Sequence, residues 1–227
     1  FEAKVYEMYG DMNRVKLRIS NTVDSIMLNE DARNIESIPE KWGDLVITSP
    51  PYANNYDYAD ATRLEMTFWG DINGWADLQD SVRKHLVRAC TQHVSNLGND
   101  IYAILSNPKL SVIQPELWEV YETLKEERLK HGGKKNYHLM VAAYFNDLAE
   151  VFHSLRRVTS DNCKMCFVVG DSAPYGVYVP VDKWLGELAV QAGFGSYSFE
   201  KLRDRNVKWK NRKHTVPLQE GRLWINS

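Results

Sequence analysis

The sequence has few cysteines, no long apolar run and no excess of positive charge, and each absence argues against a class of protein. Three of its 227 residues are cysteine. An odd number in a chain with no secretory apolar segment favours a reducing, cytoplasmic setting. No run approaches the roughly 18 apolar residues that a membrane span needs, so no membrane partner is expected. Lys and Arg number 28 against 30 Asp and Glu, which argues against a generally basic nucleic-acid-coating protein but not against a local basic patch.

The remaining composition, 44% hydrophobic and 26% charged, is that of an ordinary globular protein. Short apolar runs predict strands at 26–28, 44–48 and 165–169, and four-residue spacing predicts helices at 75–94, 116–130, 139–157 and 181–192. This alternation indicates an α/β fold with a mainly parallel sheet. Two further strands, 197–202 and 222–225, predict a closing antiparallel hairpin. We expect one domain over residues 1–227, with a helical insertion at about 70–138.

The most informative feature is the loop that follows the strand 44–48. In open α/β sheets, ligands bind just beyond the carboxyl ends of strands. Two prolines without backbone N–H groups make a stiff turn that presents carbonyl oxygens. The Ser49 oxygen and the Pro50 carbonyl could accept both N–H bonds of an exocyclic amino group, and Tyr52 could stack on an extruded base. The predicted catalytic residues are Ser49, Pro50, Pro51 and Tyr52.

The stretch Asp44 to Tyr52, ending in Thr-Ser-Pro-Pro-Tyr, resembles the catalytic motif of DNA amino-methyltransferases. The resemblance covers about residues 20–70 and 140–227, and 53–70 looks like the post-catalytic segment of a bacterial subgroup. It implies a Rossmann-like fold, S-adenosyl-L-methionine as cofactor and double-stranded DNA as substrate. A serine in the first motif position resembles the cytosine-N4 branch more than the adenine-N6 branch. The resemblance therefore implies cytosine-N4 methylation in a restriction–modification pair, with adenine N6 or an RNA base as alternatives.

The same resemblance suggests cofactor contacts. Residues 28–33 resemble a strand end whose acidic residue lies near the cofactor adenine, which predicts contacts from Asp31, Ala32, Thr48 and Ser49. For Asp31, a carboxylate that caps a turn or helix is the open alternative. The family's Phe-x-Gly-x-Gly turn is absent from the 227 residues. We expect a segment before Phe1 or a partner chain to supply it; otherwise the chain is a non-catalytic DNA-binding subunit.

The densest basic stretch lies between the two hairpin strands, with Trp209 among its cations. It predicts a contact with the phosphate backbone, and a solvated hairpin is the alternative. The predicted DNA-binding residues are Lys201, Arg203, Arg205, Lys208, Lys210, Arg212 and Lys213. No metal site is expected, because Cys163 and Cys166 lack a second pair and the histidines show no cluster. Asp171 either borders the base pocket or only ends a strand.

Overall fold

The computed structural model describes residues 1–18, 24–133, 135–205 and 216–227. Its strands are β1 (Gly43–Thr48), β2 (Thr159–Gly170), β3 (Ser196–Arg205) and β4 (Leu218–Asn226). Its α-helices are α1 (Glu2–Lys16), α2 (Tyr58–Ala61), α3 (Arg63–Trp69), α4 (Asp77–Ser81), α5 (Ile101–Leu105), α6 (Gln114–Lys130), α7 (Tyr137–Val158) and α8 (Val181–Gln191). The predicted helices 116–130, 139–157 and 181–192 are confirmed as α6, α7 and α8.

The strands form one sheet in the order β1-β2-β4-β3. β1 pairs parallel with β2, while β4 pairs antiparallel with both β2 and β3. The α/β class and the closing hairpin are confirmed, and the fold is consistent with a Rossmann-like methyltransferase. The expectation of a mainly parallel sheet needs correction, since one of the three described pairings is parallel. The hairpin supplies two pairings, and Ile26 and Met27, in the predicted first strand, lie exposed outside the described sheet.

The core lies between the sheet and helices α7 and α8. Met165 and Phe167 of β2 are buried, and Phe152 of α7 packs against Phe167 with ring centroids 5.3 Å apart. Trp184 of α8 packs edge-on against Phe145 of α7. Each such apolar side chain contributes roughly 1.5–3 kcal/mol when it is fully buried. The helical periodicity of α7 and α8 thus fixes the position of β2, whose end borders the predicted loop.

The segment 70–138 is helical and shares this core. Leu105, Leu117 and Leu124 are fully buried in the same apolar cluster as α7. The predicted continuous helix 75–94 is wrong, because the structure has α4 and two 3-10 turns there. The backbone leaves helical geometry at Val82 and again at Cys90. At these breaks the chain turns toward the segment that follows β1, where its polar side chains find partners.

All three cysteines are free and buried. They therefore contribute to packing rather than to disulfide cross-links. Within the described ranges, the helices are too short or too polar for any of them to cross a membrane.

Candidate active site

The Ser-Pro-Pro-Tyr loop leaves β1 at the carboxyl end of the sheet and lies against β2. Thr48 of β1 is paired with Phe167 of β2. The next residue, Ser49, donates its hydroxyl to the carbonyl of Val168, with Oγ and O 3.3 Å apart. Ser49 is exposed, whereas Pro50 is buried. Because the hydroxyl proton points to the sheet, the Ser49 oxygen keeps lone pairs for a donor arriving from solvent.

Tyr52 is held from two directions. Its backbone N–H donates to the hydroxyl of Tyr58 over 3.3 Å, and its carbonyl accepts from Asn54 N–H over 2.7 Å. The guanidinium of Arg205 lies 5.1 Å from the centroid of the Tyr52 ring, within the range of a cation–π interaction. Burial, together with the carboxylate of Glu220, raises the pKa of Tyr52. The Tyr52 ring is therefore held in position and stays uncharged at the end of the Ser-Pro-Pro-Tyr loop.

Gly170, the last residue of β2, makes room for this arrangement. A Cβ there would lie 2.7 Å from Arg205 Nη1 and 3.3 Å from Tyr52 Cε2. This glycine directly follows the predicted strand 165–169, and the sequence does not show what it faces. The close approach of two side chains that lie far apart in the sequence is what requires the missing Cβ.

Hydrogen bonds connect the segment after the loop to Ser172, which follows β2, and to the insertion. The carbonyl of buried Ala53 accepts from the Ser172 hydroxyl. Asn55 has a positive φ of 64°, a conformation that asparagine tolerates better than most residues. Its side-chain oxygen accepts from both the backbone N–H and the hydroxyl of Thr91, each over 2.8 Å. These contacts with the insertion thereby fix the path of the chain after the Ser-Pro-Pro-Tyr loop.

An ion pair between Asp57 and Arg83 makes the second connection to the insertion. Arg83 Nη2 lies 2.7 Å from Asp57 Oδ2, and both side chains are about nine-tenths buried. The other carboxylate oxygen caps α2 by accepting from Ala59 N and Asp60 N. Burial opposes ionisation of Asp57, but the Arg83 hydrogen bonds, the Asp60 N–H and the nearby positive charge together outweigh it and lower the pKa. Sequence reasoning missed Asn55, Asp57 and Arg83 as loop-positioning residues, although it had noted the 53–70 segment.

Comparison with known proteins finds similarity to type II methyltransferases. The chain is 26% identical over 189 residues to the type II methyltransferase M.BsoBI of Geobacillus stearothermophilus. It is 30% identical over 155 residues to the type II methyltransferase M.AvaI of Nostoc sp. and of Anabaena variabilis. These relatives support the family that the sequence resembles, the DNA methyltransferases.

These matches cover 79% and 66% of this chain but 37% and 30% of the relatives. The chain thus spans about a third of the length of the curated relatives that it matches. No protein-family model matches the sequence, and no solved structure matches it. The matches therefore support the family, and the activity of the whole protein is a proposal.

The predicted cofactor residues do not form a complete cofactor pocket. Asp31 binds Arg33, with Arg33 Nη2 and Asp31 Oδ2 2.6 Å apart, and it accepts the Arg33 N–H over 2.9 Å. The hydrogen bond from the Arg33 side chain lowers the Asp31 pKa. This geometry is that of the turn-capping alternative. Ala32 is exposed, and Thr48 is partly buried at the end of β1. With no glycine-rich turn in the sequence, the residues present do not by themselves fit S-adenosyl-L-methionine.

The described part of the basic stretch is paired with carboxylates. Lys201 binds Asp204, and the Arg203 Nε donates to Glu220 over 2.8 Å. Arg205 donates to the Asp171 carbonyl over 2.7 Å, and its side chain is mostly buried. The structure therefore places Arg205 beside Tyr52 rather than on an open surface. Outside the described residues lie the remaining four predicted contacts, Lys208, Lys210, Arg212 and Lys213.

Asp171 directly follows β2 and is buried, with 2% of its surface exposed. Its Oδ2 accepts from the Tyr178 hydroxyl over 2.9 Å, while no described residue donates to Oδ1. Burial, together with the nearby Asp182 carboxylate, raises the pKa of Asp171 to about 6. Of the two sequence-based alternatives, this geometry matches the residue that ends a strand.

Proposed function

We propose that this chain carries the base-binding part of a methyltransferase that modifies an exocyclic amino group in double-stranded DNA, most directly N4 of cytosine. The observation behind the proposal is the Ser49 oxygen at the end of β1, oriented by its bond to Val168 and followed by two prolines and a supported tyrosine. A restriction–modification pair in the cytoplasm is the proposed setting.

The chain's own residues would hold the base. The amino group can donate one N–H to the Ser49 oxygen and the other to the Pro50 carbonyl. Tyr52 can stack on the base with the ring face that Arg205 does not cover, an interaction worth about 1–3 kcal/mol. Together these contacts offset the few kcal/mol needed to extrude a base from the duplex. Ser49, Pro50, Pro51 and Tyr52 are therefore the proposed catalytic residues.

The choice of cytosine rests on the serine in the first motif position. This is an association with the cytosine-N4 branch, and the described contacts of Ser49 fit either amino group. Adenine N6 is thus the alternative product within the same proposal, and an RNA base is a third. The nucleoside that gains the methyl group decides between them.

We further propose that the cofactor-binding part lies along the open edge of β1. Among the described strands, β1 pairs on one side only, with β2. Its Leu45 and Ile47 are 58% and 71% exposed, and an apolar edge of this kind invites pairing with a further strand. A segment or partner chain that brings the glycine-rich turn for S-adenosyl-L-methionine would complete the sheet there. Asp31 and Ala32 remain proposed neighbours of that cofactor.

A non-catalytic, DNA-binding subunit is the second candidate. It is favoured by the absent Phe-x-Gly-x-Gly turn and by the Asp31–Arg33 pair. In that case the basic hairpin would contact the phosphate backbone while another chain performs the chemistry. The two candidates differ in whether an intact Ser-Pro-Pro-Tyr loop is needed for methyl transfer.

The deciding experiment is methylation of duplex DNA in vitro, followed by mass spectrometry of the nucleosides. The chain is tested alone and together with the product of the neighbouring reading frame, with Tyr52→Ala and Tyr56→Ala as a matched pair. We expect N4-methylcytosine that depends on Tyr52 and not on the exposed Tyr56. N6-methyladenine would overturn the cytosine assignment. Methylation that is indifferent to Tyr52→Ala would instead support the non-catalytic subunit.

A further inference from the structure

Three potential metal ligands lie close together in space, one in the segment after the Ser-Pro-Pro-Tyr loop and two in the insertion. The side-chain donor atoms of Asp57, Cys90 and His93 all lie within 4.8 Å of one another. Asp57 comes from the segment after the loop, and the other two come from the insertion. The spacing Cys90-x-x-His93 is short enough for one 3-10 turn to present both side chains on the same side. The sequence analysis expected no metal site, because Cys163 and Cys166 lack a second pair and the histidines show no cluster in the sequence. The third ligand of this cluster lies 33 positions before Cys90, so spacing alone does not indicate it.

His93 is the second observation that points to a ligand. Its side chain is 1% exposed, and within the described residues neither ring nitrogen makes a hydrogen bond of good geometry. The polar groups that face the ring are the Asp57 carboxylate and the Val87 backbone. Buried imidazoles almost always donate or accept at one nitrogen at least. His93 Nε2 faces Asp57 Oδ1 at 3.6 Å, a separation too long for a good hydrogen bond. It is suitable for two ligands of one ion, because metal–ligand bonds are about 2.0–2.3 Å long.

The other contacts of the cluster orient these ligands. Arg83 binds the second Asp57 oxygen, and Ala59 N and Asp60 N donate to the first at 3.1 and 3.3 Å. Cys90 Sγ lies 3.6 Å from the Asn55 side-chain oxygen. Neighbours that hold ligands in place are typical of metal sites. One thiolate and one carboxylate would offset the two charges of a divalent ion. The Arg83 guanidinium, bound to the other Asp57 oxygen, would then leave the cluster with one net positive charge.

We propose that Asp57, Cys90 and His93 bind a divalent transition metal of the zinc class. Sulfur, nitrogen and oxygen donors together suit Zn²⁺ rather than Mg²⁺ or Ca²⁺. On binding, the Cys90 sulfur forms a bond to the metal and its proton passes to solvent. Such an ion would tie the segment after the Ser-Pro-Pro-Tyr loop to the insertion. Its role is structural and does not depend on the proposed methylation.

The test is a titration of the chelator-treated full chain with Co²⁺, which reports thiolate ligation by a sulfur-to-metal charge-transfer band, followed by displacement with Zn²⁺. We expect one ion per chain. Cys90→Ser and His93→Gln should each weaken binding on the order of 100-fold. Cys163→Ser, which removes a buried cysteine outside the cluster, should leave it unchanged. Circular dichroism checks that each variant folds.

The outcomes separate the metal site from a purely polar cluster. A charge-transfer band that disappears in folded Cys90→Ser or His93→Gln supports the proposal. No band in the folded parent chain, or an equal band in the Cys90→Ser variant, overturns it. Should both variants fail to fold, Zn²⁺ must raise the melting temperature of the parent chain and release one proton per ion, and the absence of either effect also overturns the proposal.

Discussion

Arg205 and Tyr52 meet at the end of the sheet, with the guanidinium 5.1 Å from the ring centroid. One comes from the last residue of β3 and the other from the loop after β1, 153 positions earlier. Gly170 lies between them and has no side chain to separate them. The closing hairpin, which the sequence suggests as a DNA contact, therefore also supports the Ser-Pro-Pro-Tyr loop.

Replacing Tyr52 by alanine removes the proposed stacking surface without touching the basic hairpin. We expect methyl transfer to fall by roughly 5- to 150-fold, the equivalent of 1–3 kcal/mol. Binding to duplex DNA should change much less. Tyr56→Ala, in the same segment but half exposed, is the control. Equal transfer rates for the Tyr52→Ala variant and the parent would rule out the stacking role.

Replacing Arg205 by methionine keeps the stem but removes the cation over the ring. Loss of a cation–π interaction of about 0.5–2 kcal/mol should slow methyl transfer by roughly 2- to 30-fold. Arg203→Met is the matched control, since Arg203 is 69% exposed on the same strand. If both variants instead reduce DNA affinity alike and leave the rate of the bound complex intact, Arg205 acts as a phosphate contact only.

Removing the Asp147 carboxylate should destabilise the fold strongly. This carboxylate is 2% exposed and receives Arg88, with Nη2 2.5 Å from Oδ1, as well as Arg33 Nη1 at 3.3 Å. Breaking a buried ion pair from one side costs about 3–5 kcal/mol. We expect Asp147→Ala to lower the free energy of unfolding by that amount in chemical denaturation. Asp161→Ala, at an exposed pair with Lys41, should cause a much smaller change.

Asp171 should make stability depend on pH. Its folded-state pKa is about 6, above the ordinary value of about 3.9. The folded state therefore holds this proton more tightly, and the stabilising contribution is present below about pH 4 and lost as the pH rises through 6. Asp171→Asn stays neutral and can still accept from Tyr178. At pH 8 we expect the free energy of unfolding of the variant to exceed that of the parent by about 1–3 kcal/mol. The difference should be smaller at pH 4. A constant difference across this range would contradict the raised pKa.

The basic stretch leads to a separate prediction about salt. Lys208 and Lys210 lie outside the described residues, so the prediction rests on the sequence. Reversing both charges to glutamate should weaken duplex binding and reduce the slope of log affinity against log salt by about 2. The control reverses Lys125 and Lys130, which α6 already pairs with glutamates. An unchanged slope in the first variant would reject the backbone contact.

The local sequence pattern was sufficient to predict several helices and strands. The apolar run 44–48, the periodicity of α6, α7 and α8 and the two hairpin strands all appear near their predicted bounds. It failed at 26–28, where three apolar residues find no strand to pair with among the described residues, and at 75–94. There the apolar spacing fits a helix, but the polar residues of the same stretch reach Asn55 and Asp57. A periodicity count contains no information about such distant partners.

The sequence by itself determined the α/β class, the position of the Ser-Pro-Pro-Tyr loop at a strand end and the resemblance to DNA methyltransferases, because these depend on short-range spacing and on a nine-residue motif. The tertiary structure alone decided that Asp171 is buried, that Asp31 binds Arg33, that Arg205 covers Tyr52 and that His93 joins Asp57 and Cys90. The reason is physical: burial and ion pairing depend on which distant segments the packing of α7 on the sheet brings together. The loop identified from the sequence is therefore supported by residues that only the fold reveals.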